Sequence, residues 1–271
     1  MNTQDNVAYH INENGYYIYD ISGAGLKQNY GDYTTDDHQV WQTLYERQME
    51  NLLGGVFTSE YIKGLEMLGF DSKKIANFED INQLLKQASG WSIYVVLGLI
   101  PIKEFFELMK NQKFCATTWL RKKDQLDYLE EPDMFHDVFG HVPLLTNKPL
   151  CNFIQGLSNI ALKYIDNQYI IDLIGRIYWF TIEFGLVKEN DILKIYGAGI
   201  ISSAGETDYS LNSPIPQRVP YSVEEMLNTP FHKDHYQTKY FVLDSFEQLE
   251  NSIPEIDEKI AKIHQDMLVK A

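Results

Sequence analysis

Apolar positions recur along most of this chain at intervals of three and four, the spacing that lines one face of an α-helix. From Asp36 to Leu53 the positions Val40, Trp41, Leu44, Tyr45, Met49, Leu52 and Leu53 follow it, and Gly54-Gly55 closes the run. Glycine, proline and asparagine punctuation divides much of the remainder into predicted helices over 59–68, 80–88, 102–110, 149–165, 168–186 and 222–228. Short strands are predicted near 93–97 and 239–243, and Tyr16-Tyr17-Ile18-Tyr19 reads as extended. Towards the C-terminus, Ser252 and Glu255 form a capping-box pattern, Pro254 suits a first helical turn, and Ile256, Ile260, Ile263 and Met267 make an apolar stripe. The stripe predicts an amphipathic helix over 252–271 that either docks on its own domain or forms an oligomer contact. The expected fold is mainly α, an α+β chain with a few short strands, in one domain spanning 1–271 without repeats or a dividing linker.

One segment breaks this bland pattern with chemistry. Glu131-Pro132-Asp133-Met134-Phe135-His136-Asp137-Val138-Phe139-Gly140-His141-Val142-Pro143 places two imidazoles five positions apart. On an unbroken α-helix they would be separated by about 140°, too far round to meet one ion. Gly140 and Pro143 suggest the remedy: His136 in the last turns of a helix, His141 just past its end, and a chain that turns back at the glycine. A third donor is available in Glu183, which lies in the apolar, aromatic run Ile177-Tyr178-Trp179-Phe180-Thr181-Ile182-Glu183-Phe184. A carboxylate buried there needs a cation or hydrogen-bond donors. Two imidazoles and one carboxylate on one face of an ion leave its other positions open, as in non-haem iron(II) oxygenases. The plain alternative is a pair of hydrogen-bonded or surface histidines in a turn-rich stretch.

These residues carry a family resemblance. The Glu131-to-Pro143 run, the Ile177-to-Leu186 run and Tyr196-Gly197-Ala198-Gly199-Ile200-Ile201-Ser202-Ser203 resemble the catalytic domain of the pterin-dependent aromatic amino acid hydroxylases, in order and spacing. The stretches Asp124-Gln125-Leu126-Asp127-Tyr128-Leu129 and Phe241-Val242-Leu243-Asp244-Ser245-Phe246-Glu247 bring the likeness nearest to the short bacterial phenylalanine 4-hydroxylases, over residues 30 to 250. The resemblance implies iron(II) held by His136, His141 and Glu183, a tetrahydropterin as two-electron donor, and molecular oxygen as oxidant. The implied reaction turns L-phenylalanine into L-tyrosine, the first step of phenylalanine catabolism. Tryptophan or tyrosine hydroxylation on the same scaffold is the alternative, because a pocket difference of a few atoms is worth only about 1–3 kcal/mol.

Further roles follow from the resemblance position by position. Arg121 matches an arginine that grips the substrate carboxylate, a bidentate task suited to a guanidinium; in the cluster Arg121-Lys122-Lys123 it could equally be a solvated charge. Trp179 and Pro132 match walls of the substrate ring site, and Gly199, Ser202 and Ser203 match the amino acid pocket. Phe105 matches a ring that stacks on the pterin, Gly98-Leu99-Ile100 the loop whose backbone meets its edge, and Tyr178 a tyrosine near metal and pterin. Asp137 stands where animal members have a glutamate that reaches the pterin, and Leu129 where they have a threonine.

Composition narrows the partners. With 23 basic and 38 acidic residues the net charge is −15, which argues against nucleic acid or anionic membrane as a partner. Two cysteines, Cys115 and Cys151, without metal-ligand or disulfide-framework spacing suit a reducing compartment. The polar start, Met1-Asn2-Thr3-Gln4-Asp5-Asn6, lacks a signal-peptide pattern, and no run of roughly 18 apolar residues occurs, so a cytoplasmic location is expected. No regulatory domain of the animal type is expected. The rival classes are a zinc hydrolase, for which no HExxH, GxSxG or P-loop pattern is present, and a non-catalytic metal- or partner-binding domain. His232 and His235, after Pro230 in a polar stretch, read as exposed loop histidines.

Overall fold

The computed structural model describes residues 2–4, 7–13, 15–19, 25–127 and 131–270. Helices dominate: α1 (Thr35–Leu53), α2 (Ser59–Met67), α3 (Phe78–Ala88), α4 (Ile102–Lys110), α5 (Lys148–Lys163), α6 (Gln168–Tyr178), α7 (Ala198–Ile201), α8 (Ala204–Asn212), α9 (Val223–Asn228), α10 (Phe246–Asn251) and α11 (Ile253–Lys270). Their starts follow ordinary capping chemistry. Thr34 and Asp37 form a reciprocal capping box on α1, while Asn77, Asn147, Asn167, Ser203 and Ser222 each offer a side-chain oxygen to a first-turn amide.

Three small sheets complete the fold. β1 (Asn2–Gln4), β2 (Val7–Ile11) and β3 (Tyr17–Tyr19) form an antiparallel set, and β4 (Ser92–Val95) pairs in parallel with β5 (Lys113–Ala116). The third sheet has the order β7-β6-β9-β8, from β6 (Leu186–Glu189), β7 (Ile192–Ile195), β8 (Gln217–Pro220) and β9 (Lys239–Leu243). β6 and β7 are joined through Asn190 and Asp191, both at positive φ, as a tight right-twisted hairpin requires.

The predicted helix over 102–110 and strand over 239–243 coincide with α4 and β9. The helix predicted over 168–186 stops earlier: α6 ends at Tyr178, a π-helical turn carries the chain to Glu183, and Leu186 already belongs to β6. The Ser252 capping box is also replaced. Its hydroxyl donates to the Leu249 carbonyl at 2.7 Å and shares a hydrogen bond with the Tyr221 hydroxyl, so it ends α10 instead of starting α11.

One contiguous apolar cluster runs from Leu26 to Ile260. The stripe on α11 faces it: Ile256 and Ile260 are fully buried and Ile263 and Met267 pack beside them. Lys163–Asp257 and Lys259–Glu224 ion pairs flank that contact. No described helix is long and apolar enough to cross a membrane.

Candidate metal and cofactor site

Two π-helical segments build the centre of the site. In the first, Phe135–His141, hydrogen bonding from each amide reaches five residues back, so side chains five apart stack on one side. This corrects the expected break at Gly140: His136 and His141 converge because the helix is widened, with both residues inside it. Phe135 and Phe139 point the other way, stacked at 4.5 Å in the core, with Trp41 edge-on to the first and Tyr45 and Tyr61 edge-on to the second. The Tyr61 hydroxyl also donates to the Phe139 carbonyl at 2.7 Å.

The second segment, Trp179–Glu183, is closed by the Phe184 amide donating to the Trp179 carbonyl at 2.9 Å. Thr181 helps to open this turn. Its hydroxyl donates to the Ile177 carbonyl at 2.6 Å and competes for the acceptor that an α-helical amide would use.

The resulting triad is tight. Nε2 of His136 and Nε2 of His141 are 3.3 Å apart, Glu183 Oε1 lies 3.3 Å from His141 Nε2, and Glu183 Oε2 lies 3.6 Å from His136 Nε2. Ligand atoms about 2.1 Å from one ion stand roughly 3.0–3.4 Å from one another, so this spacing fits a single divalent metal with little adjustment. His136 Nδ1 lies 2.8 Å from Ser202 Oγ. With Nδ1–H donating to that hydroxyl, the Nε2 lone pair is aimed at the triad centre. Burial pushes the His136 imidazole down to about 4, which keeps it neutral, the form that ligates. Burial works against the Glu183 charge as well, but His141 and His136 beside it together outweigh burial and hold the carboxyl below its ordinary value.

Close backbone approach assembles these parts. A Cβ on Gly197 would stand 2.4 Å from the Glu183 carbonyl oxygen and 2.5 Å from the Gly185 nitrogen; one on Gly199 would meet Phe184 at 2.8 Å. A Cβ on Gly140 would meet the Ala198 carbonyl oxygen at 3.0 Å. These glycines let α7 lie against both π segments and bring Ser202 to His136. Gly197→Ala is therefore expected to cost about 1–3 kcal/mol by overpacking and to weaken metal retention, as read by thermal denaturation and metal analysis of dialysed protein.

Around the triad, Arg121 is buried, not solvated. Its Nε and Nη2 donate to Asp133 Oδ2 and Oδ1 at 2.9 and 2.8 Å, and its own amide reaches Oδ2 at 2.9 Å. Burial raises the Asp133 carboxyl, but the Arg121 guanidinium overrides it and the net position is below the usual range. Asp133 Oδ1 also accepts the His136 amide at 3.1 Å, so one carboxylate joins Arg121 to the first π segment. Neither the motif nor its spacing singled out Asp133; its signal was a carboxylate ahead of a helix and within the motif, as an N-cap would be.

The other expected residues divide. Trp179 is stacked on Phe231 at 4.5 Å, tilted against Phe184 at 4.6 Å, and its Nε1 donates to Gln237 Oε1 at 3.0 Å. Phe105 and Tyr178 meet edge-on at 5.7 Å, and burial together with the Glu183 charge pushes the Tyr178 hydroxyl well up. Asp137 turns inward, where its Oδ2 accepts from the amide and hydroxyl of Thr117 at 2.8 and 3.0 Å; burial pushes it up to about 7 against those donors.

In the Gly98-Leu99-Ile100 loop the Leu99 carbonyl accepts the Tyr17 amide at 2.9 Å, and the Tyr17 ring covers Gly98. The Ser203 hydroxyl is used to cap α8. Pro132 is exposed, and no hydrogen bond ties it to the triad among the described residues. Tyr128 and Leu129 lie outside the described residues.

The family model for biopterin-dependent aromatic amino acid hydroxylases matches residues 23–268. The chain belongs to that family. Among other members, it is 45% identical over 217 residues to a phenylalanine-4-hydroxylase from Ralstonia nicotianae, covering 80% of this chain and 69% of that protein. It is 42% identical over 233 residues to the phenylalanine-4-hydroxylase of Chromobacterium violaceum, covering 85% of this chain and 77% of that protein. A crystal structure of the Chromobacterium violaceum hydroxylase with bound iron(III) and the oxidised cofactor 7,8-dihydrobiopterin superposes with a TM-score of 0.83 at 40% identity, covering 90% of this chain and 88% of that one. The biopterin-dependent hydroxylase fold thus extends beyond the motifs at both ends of the 30–250 region.

Proposed function

We propose that this hydroxylase is a phenylalanine 4-monooxygenase that converts L-phenylalanine to L-tyrosine with molecular oxygen and a tetrahydropterin at a non-haem iron(II). The observation that carries the reading is the triad of His136, His141 and Glu183, with mutual distances of 3.3, 3.3 and 3.6 Å, in a chain of this family. When bound, metal and pterin would supply oxygen activation and two electrons for hydroxylation of the substrate ring. The protein's contribution is geometry and exclusion of water. Three ligands on one side leave other positions for chemistry, Ser202 orients the His136 ring, and the Phe114 ring at 4.9 Å screens His141.

Arg121 is assigned to the substrate carboxylate. Asp133 holds two of its nitrogens, and Nη1 makes only a long contact of 3.4 Å to the Leu126 carbonyl, a weak acceptor that a substrate carboxylate would displace. Trp179, locked by Gln237 and Phe231, supplies a flat wall for the aromatic ring, with Pro132 at the rim. Gly199, Ser202 and Ser203 line the amino acid end, where Ser202 acts through His136. For the pterin, Phe105 offers a ring face, Gly98, Leu99 and Ile100 offer backbone, Tyr178 borders the metal side, and Asp137 would act through Thr117. The α11 stripe serves its own domain, which favours a monomer over a homodimer through this helix. Free Cys115 and Cys151 suit the cytoplasm.

The test is turnover by metal-stripped protein reloaded with ferrous iron and given phenylalanine, a tetrahydropterin and oxygen, with tryptophan as a parallel substrate. Tyrosine formed only with iron and pterin together is the expected result. Faster hydroxylation of tryptophan, or no product with iron demonstrably bound, would overturn the assignment.

A further inference from the structure

A second group of metal-ligating side chains lies outside the site described above, in the turn His232-Lys233-Asp234-His235 between α9 and β9. One ligand atom from each of His232, Asp234 and His235 lies within 4.8 Å of the others, and all three residues are exposed. The two imidazoles face each other with centroids 4.5 Å apart and planes inclined by 32°. Asp234 Oδ1 is 2.8 Å from His235 Nδ1, the carboxylate–imidazole contact that orients a ligating ring.

The turn is held in this shape from below. Phe231, just before it, stacks on Trp179; Tyr236, just after it, packs against Tyr209 at 5.0 Å. Beneath it the buried Gln237 donates through Nε2 to the carbonyls of His232 and His235 at 2.8 and 3.4 Å. The backbone that carries the three side chains is thus held by contacts within the protein, which lowers the cost of binding an ion. Exposed side chains can close the remaining gap by rotamer changes.

We propose that this turn is a second divalent-metal site, selective for borderline transition ions such as zinc, nickel and copper. Two imidazoles and one carboxylate exclude calcium and magnesium as preferred occupants, and the affinity order of such a site disfavours ferrous iron against these three ions. The same Gln237 that supports the turn accepts the Trp179 indole proton, so an ion here would be seated on the support of a substrate wall.

The experiment is equilibrium dialysis of the full metal-free chain against zinc at pH 7.5, with protein-bound metal counted. The parent is expected to bind one more zinc per chain than the His232→Ala/His235→Ala double variant. Because the measured quantity is that difference, the result does not depend on what the buried triad binds or on turnover. Asp234→Asn is expected to weaken the surface site by about ten- to a hundredfold. Since the altered side chains are exposed, loss of the fold is not expected, and circular dichroism checks it. Equal zinc stoichiometry in parent and double variant would overturn the proposal, and so would a parent that binds calcium at the turn as well as it binds zinc.

Discussion

Glu183→Ala protein is expected to lose its iron on dialysis and to form tyrosine at least about a thousandfold more slowly than the parent, a barrier change of about 4 kcal/mol. The reason is charge as well as geometry. Glu183 is the sole anionic member of the triad, and without it two neutral imidazoles 3.3 Å apart must hold a dication in a largely buried position. A second measurement separates a ligand from a structural residue. In the metal-free state the two imidazoles already favour the ionised carboxylate, so removal should cost some stability in any case, but only a ligand's removal should also abolish the rise in melting temperature on adding ferrous iron. Retained iron and turnover in Glu183→Ala would strike this residue from the ligand set.

The largest effect on stability is expected at Asp133. Asp133→Ala would leave the Arg121 guanidinium, 7% exposed, without its partner and should destabilise the fold by about 3–5 kcal/mol in urea or thermal denaturation. The same substitution removes the acceptor for the His136 amide, so iron affinity should fall too. The double variant Asp133→Ala/Arg121→Met should recover much of the lost stability, because no uncompensated buried charge remains, but it should not recover phenylalanine binding. A double variant as unstable as Asp133→Ala would show that Asp133 acts through something other than this ion pair.

Much of the architecture was legible along the chain because local forces decide it. The α1, α2, α4, α5 and α9 spans follow from apolar periodicity with capping or punctuation, and β9 from a short β-rich run. The β6–β7 hairpin was not legible. β6 and β7 form only because an Asn190-Asp191 hairpin and the distant β9 supply hydrogen-bond partners, although the Asn-Asp pair was a readable turn signal. Nor does any local rule distinguish an α-turn from a π-turn at Trp179–Glu183, where the outcome depends on which donor takes the Ile177 carbonyl.

The site divides in the same way. The sequence by itself determined the donor types, two imidazoles and a carboxylate, and the family pattern around them. The tertiary structure decided how they meet: two π-helical segments pressed together through Gly140, Gly197 and Gly199, Ser202 at His136, and Asp133 tying Arg121 to the same segment. The physical reason is that residue identity states which donors are available, whereas convergence within 3.3–3.6 Å depends on packing between elements far apart in the chain.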